Sequence, residues 1–580
     1  MKDEYILKIS KYLESEDYVA IGRLLDDIGK VEAEKDYNYW LIKAMLAKKN
    51  NVDRDLFLAI KEGMQISPAE YEMYEYLGDY FVEKNVNKAY LCYEIAYFYC
   101  DNEYDETILG KMSDLQGSGK VTVKPVSIVI PSYNCKEMMQ GCIESIRNTN
   151  PKSSYEIVVV DNASTDGILD WLKEQEDIVL VTNSENAGFP VACNQGINAA
   201  KRDNDIFLLN NDTVVPLNAI FWLRMGLYED GSVGATGSVS NHVVNHQRVE
   251  VRYDNYEDYI DWAYTNNVLC ENPYEKKLYL IGFALMIKRI VLDKVGLLDE
   301  RFSPGNYEDN DIGFRINRAG YKVMLCRNSF ILHYGHTSFK KDPDAFAKLL
   351  YRNRQYFSKK WGGDFDNYLR MRTDLIAAIN EESNASIRVL EIGCGCGVTM
   401  SRLQYMYPNA VIKGIESTEY VAKMAANYMD VIYGDIEEME LDFEEEYFDY
   451  VLFGNSIEQM KEPQVVLNKI KKHMKKNGCI IAALGNMLNI SVLLPLLKGN
   501  LRYGNEGLLN KKYRHMYTKK EAIKLFISAG INIESIINYK SSGELAEDDK
   551  MLYTELKKLP GIVCSEEFEV YQYVFIGRNQ

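Results

Sequence analysis

The chain has 580 residues, 47% of them hydrophobic and 26% charged, a balance that excludes a disordered or fibrous protein; at ~150 residues per domain it has room for three or four domains. Its 67 Lys+Arg against 85 Asp+Glu leave a formal charge of −18, a surface that repels a phosphate backbone and argues against nucleic acid as a partner. The eleven cysteines follow no regular spacing, which argues against a disulfide framework and for a reducing cytoplasm.

The opening MKDEYILKIS has no basic region followed by an apolar run, so no secretory signal is expected. Residues 1 to about 113 show helical spacing and no strand alternation. Trp40, Ala44 and Ala47 recur as Tyr74, Gly78 and Phe81, each 34 positions on, and the following segments carry Leu56, Ile60 and Gly63, then Ala89, Tyr93 and Ala96. This pattern resembles the tetratricopeptide repeat, with an irregular helical bundle as the alternative. Either is read as a scaffold or a docking element for a glycan or protein acceptor. The linker DLQGSGKVTVKP follows.

Past Pro125 the runs VSIVI, EIVVV, DIVLV and DIFLLN alternate with helical segments, the texture of a parallel sheet covered on both faces. In such sheets the ligand sits beyond the carboxyl ends of the strands. There stand Asp161, placed to accept the ring NH of a pyrimidine base, and the group Asn210, Asn211, Asp212, where a carboxylate oxygen suits a divalent cation. A helix N-cap is the bland reading of either carboxylate.

VSIVIPSYNC, VVVDNASTD, NAGFPVACNQGI, FLLNNDT and NYEDNDIGFR together, in order and spacing, resemble glycosyltransferase family 2, inverting enzymes of the GT-A fold, over about residues 124 to 365. The variant VDNASTD with NND is most similar to the rhamnosyl and galactofuranosyl branch. The resemblance implies Asp212 and His333 as ligands of a divalent cation (Mn2+ or Mg2+) and Asp309 as the catalytic base. It implies Pro131, Asp161, Asn186, Gly188, Asn211, Glu308, Asp311 and His336 as donor- or substrate-binding residues, with Arg315 in the helix after the base. Asn210 replaces the first acid of the usual Asp-x-Asp motif, which leaves one carboxylate fewer for the metal. Three acids at Glu308, Asp309 and Asp311 also suit a solvated helix start.

From Trp361 to Ile387 the sequence reads as one helix and a polar connector. IRVLEIGCGCGVTMSRL then offers a strand ending at Glu391 and running into Gly393, Gly395 and Gly397, a loop whose backbone can approach a ligand at a helix N-terminus. Glu416 ends the strand VIKGI, where an acid can take both ribose hydroxyls, and Asp435 ends DVIYG, placed for an adenine amino group. FDYVLFGNSIEQM, which holds Asn455, and NGCIIAALGN continue the series. These elements resemble the class I S-adenosylmethionine-dependent methyltransferases over about residues 380 to 580. The resemblance implies that Glu391, Gly393, Gly395, Gly397, Glu416, Asp435 and Asn455 bind S-adenosyl-L-methionine. Where many relatives have Glu-His this chain has Glu458-Gln459, so the base is open among Tyr513, His515 and Glu458. Cys394 and Cys396 lack a second pair that would make them metal ligands. Residues 435 to 449 hold nine acids and no base, a solvated rim. The apolar stretch Ile490–Leu497 carries Pro495 and is far below the ~20 residues of a membrane helix, so any membrane association would be peripheral, at the inner face.

The expected architecture is multidomain: an α-helical tetratricopeptide-like repeat region (1–113), an α/β, Rossmann-like GT-A domain (124–366) and an α/β, Rossmann-like class I methyltransferase domain (380–580). The expected function is a bifunctional cytoplasmic enzyme that moves a sugar from a nucleotide-sugar donor, dTDP-rhamnose or another deoxyhexose first and UDP-hexoses next, to a surface glycan or a glycoprotein such as flagellin. The second half would methylate that sugar. The rivals are a chain with one inactive half acting as a scaffold, and two activities serving separate substrates.

Overall fold

The computed structural model describes residues 1–31, 35–100, 105–335, 343–540, 547–558 and 565–579. Two compact units, Met1–Phe357 and Ser358–Gln580, make up the chain. Among the described residues no helix is long and apolar enough to cross a membrane.

The small residues of the 34-residue pattern are needed where helices touch. Helix Tyr37–Lys49 packs on Asp53–Ile66, and Tyr71–Phe81 on Val86–Tyr99. A Cβ on Gly78 would stand 2.4 Å from the ring of Tyr93, and one on Gly63 2.3 Å from Met73 Cε, so neither position admits a side chain without movement. Helix Val86–Tyr99 is buried along most of its length, because its far side packs on helix Ala219–Leu227 of the next layer. Tyr74 meets Phe221 edge to face at 5.5 Å, Tyr99 Oη donates to Asn218 Oδ1 at 2.9 Å, and Arg224 forms a buried ion pair with Glu94. The helices are therefore one body with the sheet that follows, and this face is closed to an acceptor. The expected linker is likewise fixed: Thr122 N donates to Asn87 Oδ1 at 2.7 Å and Lys124 N to Tyr228 Oη at 2.9 Å.

The first sheet is built from β1 (Val126–Ser132), β2 (Tyr155–Asp161), β3 (Ile178–Thr182), β4 (Asp205–Leu209), β6 (Val233–Val239), β7 (Tyr274–Lys277), β8 (Ala284–Ile287) and β9 (Lys322–Phe330), while β5 (Thr213–Val214) and β10 (Leu332–His333) form a two-stranded ribbon. Strand order is β3-β2-β1-β4-β8-β6-β9-β7. The four runs read as parallel strands pair in parallel, with Ile128 beside Ile157 and Phe207. Beyond β4 the sheet is mixed, since β8 is antiparallel to both β4 and β6. β1 is buried at every position, as a strand covered on both faces requires.

The second sheet takes β11 (Arg388–Ile392), β12 (Val411–Glu416), β13 (Val431–Tyr433), β14 (Phe448–Gly454), β15 (Met474–Gly485), β16 (Ile531–Lys540) and β17 (Val570–Asn579) in the order β13-β12-β11-β14-β15-β17-β16. The first five are parallel and β17 runs antiparallel to both neighbours. The order reverses between β11 and β14, which is where such sheets hold ligands. Between Trp361 and Ile387 the expected single helix is instead a short turn, Asp366–Tyr368, and a four-residue helix, Thr373–Ile376. These pieces belong to the second unit.

Candidate active sites

In the first unit the ends of β1, β2 and β4 converge. Asp161 is fully buried at the end of β2. Its Oδ2 accepts Ser164 N at 3.2 Å, Ser164 Oγ accepts Asn134 N at 2.8 Å, and Oδ1 has no partner among the described residues. A buried carboxylate oxygen without a donor is costly, and an imide N–H would satisfy it. Asn211 Nδ2 donates to Asn134 O at 3.1 Å and so fixes the loop after β1. Pro131 is buried in β1 beside Val160. Asn186 Oδ1 accepts Gly188 N at 3.0 Å. Gly188 has φ +87°, and a Cβ there would stand 2.7 Å from Pro304 Cα, so the position is closed to side chains on both counts.

Asp212 and His333 meet across the β5–β10 ribbon, in which His333 pairs with Thr213. His333 Nδ1 lies 2.7 Å from His242 O. A carbonyl only accepts, so this bond assigns the proton to Nδ1 and leaves a lone pair on Nε2. That atom stands 3.1 Å from Asp212 Oδ1 and 3.3 Å from Asn210 Nδ2. Two lone-pair atoms so close are relieved by a shared cation or by a proton. Phe283 stacks on His333 at 5.2 Å and its carbonyl accepts Asn210 N at 2.9 Å.

The same strand approach reaches Asp309. Gly282, next to Phe283, donates its N–H to Asp309 Oδ2 at 3.3 Å, and Asn310 N donates to Oδ1 at 2.8 Å. Burial pushes the Asp309 carboxyl up to about 6. Burial and then the charge of Asp309 hold Glu308 well above the usual carboxylate range, and its Oε2 has no partner among the described residues. Of two neighbouring carboxyls that cannot both ionise, Glu308 is held the higher and keeps its proton, which leaves the charge on Asp309. Asp311 is different: it is fully buried, paired with Arg315 at 2.8 Å, while Arg315 Nη1 and Nη2 hold the carbonyls of Val295, Gly296 and Leu297. Its position is that of a loop clamp rather than of a donor-binding group. His336 lies outside the described residues.

Asn353 was not singled out in the sequence. Fully buried, it donates from Nδ2 to the carbonyls of Phe302, Gly305 and Asn306, and so fixes the loop that leads into Asp309. Asn353→Ala should cost about 1–3 kcal/mol of stability, read as a lowered urea midpoint of the first transition, and should lower sugar transfer.

In the second unit an open cavity of about 930 Å3 lies over the carboxyl ends of the parallel strands. Gly393, Gly395 and Gly397 all have positive φ, and a Cβ on Gly395 would stand 2.8 Å from Tyr368 O. That carbonyl also accepts Cys396 N at 3.0 Å, so Tyr368 braces the glycine loop. Gly397 caps helix Val398–Met406. Glu416, at the end of β12, accepts Gly395 N on Oε2 at 3.0 Å and Thr418 N on Oε1 at 2.8 Å. Both oxygens keep a lone pair and the residue lines the cavity. Glu391 is buried, its carboxyl pushed up to about 8 by burial against the pull of Arg372, and its Oε2 lacks a partner among the described residues. Asp435 lines the cavity and caps its own turn by accepting Glu437 N at 2.9 Å.

Asn455, at φ +61°, accepts Arg372 Nη1 at 2.7 Å and donates to Glu458 Oε1 at 3.0 Å. Glu458 is 1% exposed and also accepts Gly485 N, which makes it a support beneath the cavity. Tyr513 lines the cavity, and burial raises its hydroxyl well above the ordinary range. His515 Nε2 lies 3.0 Å from Lys461 O, which leaves Nδ1 as its free acceptor. Tyr368 and Arg372 fall in the stretch read as a connector, where no motif marks them.

The family model described as Glycosyl transferase family 2 matches residues 127–296, and the one described as Methyltransferase domain matches 383–530. The chain is 25% identical over 276 residues to the uncharacterized glycosyltransferase YfnE of Bacillus subtilis, covering 40% of this chain and 70% of that protein. It is 24% identical over 262 residues to the dolichyl N-acetyl-alpha-D-glucosaminyl phosphate 3-beta-D-2,3-diacetamido-2,3-dideoxy-beta-D-glucuronosyltransferase of Methanococcus voltae, with 41% and 76% covered. To the malonyl-acyl-carrier protein O-methyltransferase of Bacillus cytotoxicus it is 32% identical over 102 residues, 17% of this chain and 35% of that one. The chain is thus an enzyme that joins a glycosyltransferase family 2 domain to a methyltransferase domain.

Proposed function

We propose that the first site transfers a sugar from a nucleotide diphosphate donor with inversion, and that the second methylates the sugar so delivered, with S-adenosylmethionine as the methyl source. The observation that carries the first half is the convergence of Asp161 Oδ1, the Asp212–His333 pair and Asp309 around one set of strand ends. In the transfer, Asp309 takes the proton of the acceptor hydroxyl as that oxygen bonds to the anomeric carbon. The bond from that carbon to the diphosphate breaks, and the nucleoside diphosphate leaves with the electron pair. The crowding of Asp212 Oδ1 on His333 Nε2 fits a divalent cation held by these two atoms, which would neutralise charge on the leaving diphosphate. Transfer should therefore stop in excess chelator and return with Mn2+ or Mg2+; full activity in chelator would refute the pair as metal ligands.

In the second site the fit rests on the cavity over the strand ends, which Gly393, Gly395, Glu416 and Asp435 line, and on the partnerless Glu391 Oε2. The cofactor would supply an activated methyl group. Glu416 would hold the ribose diol, Asp435 the adenine edge, and Glu391 the cationic methionine end. His515 Nδ1, next to the cavity-lining Arg514, would take the proton of the attacking hydroxyl, and Tyr513, kept protonated by burial, would donate a hydrogen bond. Joining the two domains raises the local concentration of the transferred sugar at the second site. A deoxyhexose nucleotide such as dTDP-rhamnose is the proposed donor, and a glycan on its lipid carrier or a surface protein such as flagellin the acceptor, at the cytoplasmic face of the membrane. Release of nucleoside diphosphate across a panel of sugar nucleotides tests the donor.

A further inference from the structure

The cofactor end of the second unit's cavity holds the acids Glu391, Glu416, Asp435 and Glu437 with Arg372 among them, and Asp366 and Arg370 also line the cavity. The opposite wall is formed by the segment 501–516, which holds four Lys or Arg against the single acid Glu506, in a chain whose formal charge is −18. Lys511, Lys512 and Arg514 all line the cavity, as does Glu506. None of the three cations forms an ion pair with a described residue: Lys512 Nζ donates only to Tyr368 Oη, at 2.7 Å, and stands 4.7 Å from that ring. Tyr368 Oη also lies 3.1 Å from Thr418 Oγ1, two residues past Glu416, so this contact puts a cation next to the cofactor end. The wall itself is fixed, since Arg514 N and His515 N both donate to Glu458 O, at 2.7 and 3.0 Å. Cations gathered on a tethered wall repel one another, and an anion between them relieves that repulsion.

Resting on the methyltransferase reading, we propose that the methyl acceptor is a sugar borne on a diphosphate, with Lys511, Lys512 and Arg514 gripping the phosphates and Tyr513, between them, facing the sugar. Lysine and arginine together suit such a group, one as point charges and the other as a fork. A nucleotide-sugar and a glycan on a lipid diphosphate share this chemistry.

The test uses the full chain in excess chelator, titrated calorimetrically with inorganic pyrophosphate and separately with S-adenosylmethionine. The K511Q/K512Q/R514Q variant should bind pyrophosphate on the order of tenfold more weakly, a loss typical of removing several exposed charge contacts, with its S-adenosylmethionine affinity unchanged. Wild-type pyrophosphate affinity should also fall as salt rises. Should the triple variant lose both ligands, R514Q alone decides, with a few-fold loss of pyrophosphate only. Methyl transfer to a sugar on geranylgeranyl diphosphate supports the proposal with methylation after transfer; methyl transfer to a UDP-sugar supports the proposal and overturns the order of events in the proposed function. Equal pyrophosphate binding by variant and wild type, or equal methylation of a neutral methyl glycoside, overturns it. A wild-type chain that does not bind S-adenosylmethionine overturns the methyltransferase reading and the proposal with it.

Discussion

Asp309→Asn is expected to lower sugar transfer by on the order of 10²- to 10⁴-fold, the usual contribution of a general base, while the donor still binds. The amide keeps the shape and can still accept Gly282 N and Asn310 N through its oxygen, so the loop stays in place. It cannot take the acceptor's proton. The pH profile of the wild type carries the same assignment. A base works as its carboxylate, and burial sets this one at about 6, so transfer should be full above that value and fall as pH drops through it. Steady-state rates between pH 5 and 8, with donor binding measured on the variant, check both statements. Unchanged turnover, or loss of donor binding alone, would remove Asp309 from the role of base.

Glu416→Ala should weaken S-adenosylmethionine binding on the order of 10²-fold. Two hydrogen bonds to a charged acceptor, each worth about 1.5 kcal/mol or more, come to about 3 kcal/mol for the ribose diol, and tenfold corresponds to about 1.4 kcal/mol. The variant also strips Gly395 N and Thr418 N of their acceptor, which loosens the glycine loop. Glu416→Gln separates the two effects, because its one oxygen can still serve one backbone N–H and one hydroxyl. It should lose less. Calorimetry on both variants beside their thermal midpoints distinguishes a lost ligand contact from a collapsed loop.

Much of this was legible because strand ends in a parallel sheet are marked twice, by an apolar run and by the polar residue that stops it. Asp161 and Glu416 close their strands, Glu391 stands one residue before the end of β11, and Asp212 lies three residues past β4 and just before β5. Asp311 shows where the rule thins: one acid in a helix start looks like another in sequence, and only packing reveals that Arg315 claims it. The mixed half of the first sheet was hidden because β7 and β8 are four residues each, too short for periodicity to register. Asn353 and Tyr368 act on backbone carbonyls or through their own, and backbone partners leave no trace in side-chain spacing. The second cavity brings Lys511, Lys512 and Arg514 to face Glu391 and Glu416 from a segment far away in sequence, which no local reading could bring together.

If one chain carries two coupled activities, a single incubation will reveal both. The full chain would be given a panel of sugar nucleotides, a divalent cation, S-adenosylmethionine and a lipid-diphosphate-linked glycan, with products read by mass spectrometry. The expected products are released nucleoside diphosphate, one sugar mass added to the glycan, and then a methyl mass on that same sugar that depends on its prior transfer. A methyl group that appears on the glycan without any added sugar, or sugar addition with no methylation at any time, would contradict the coupling.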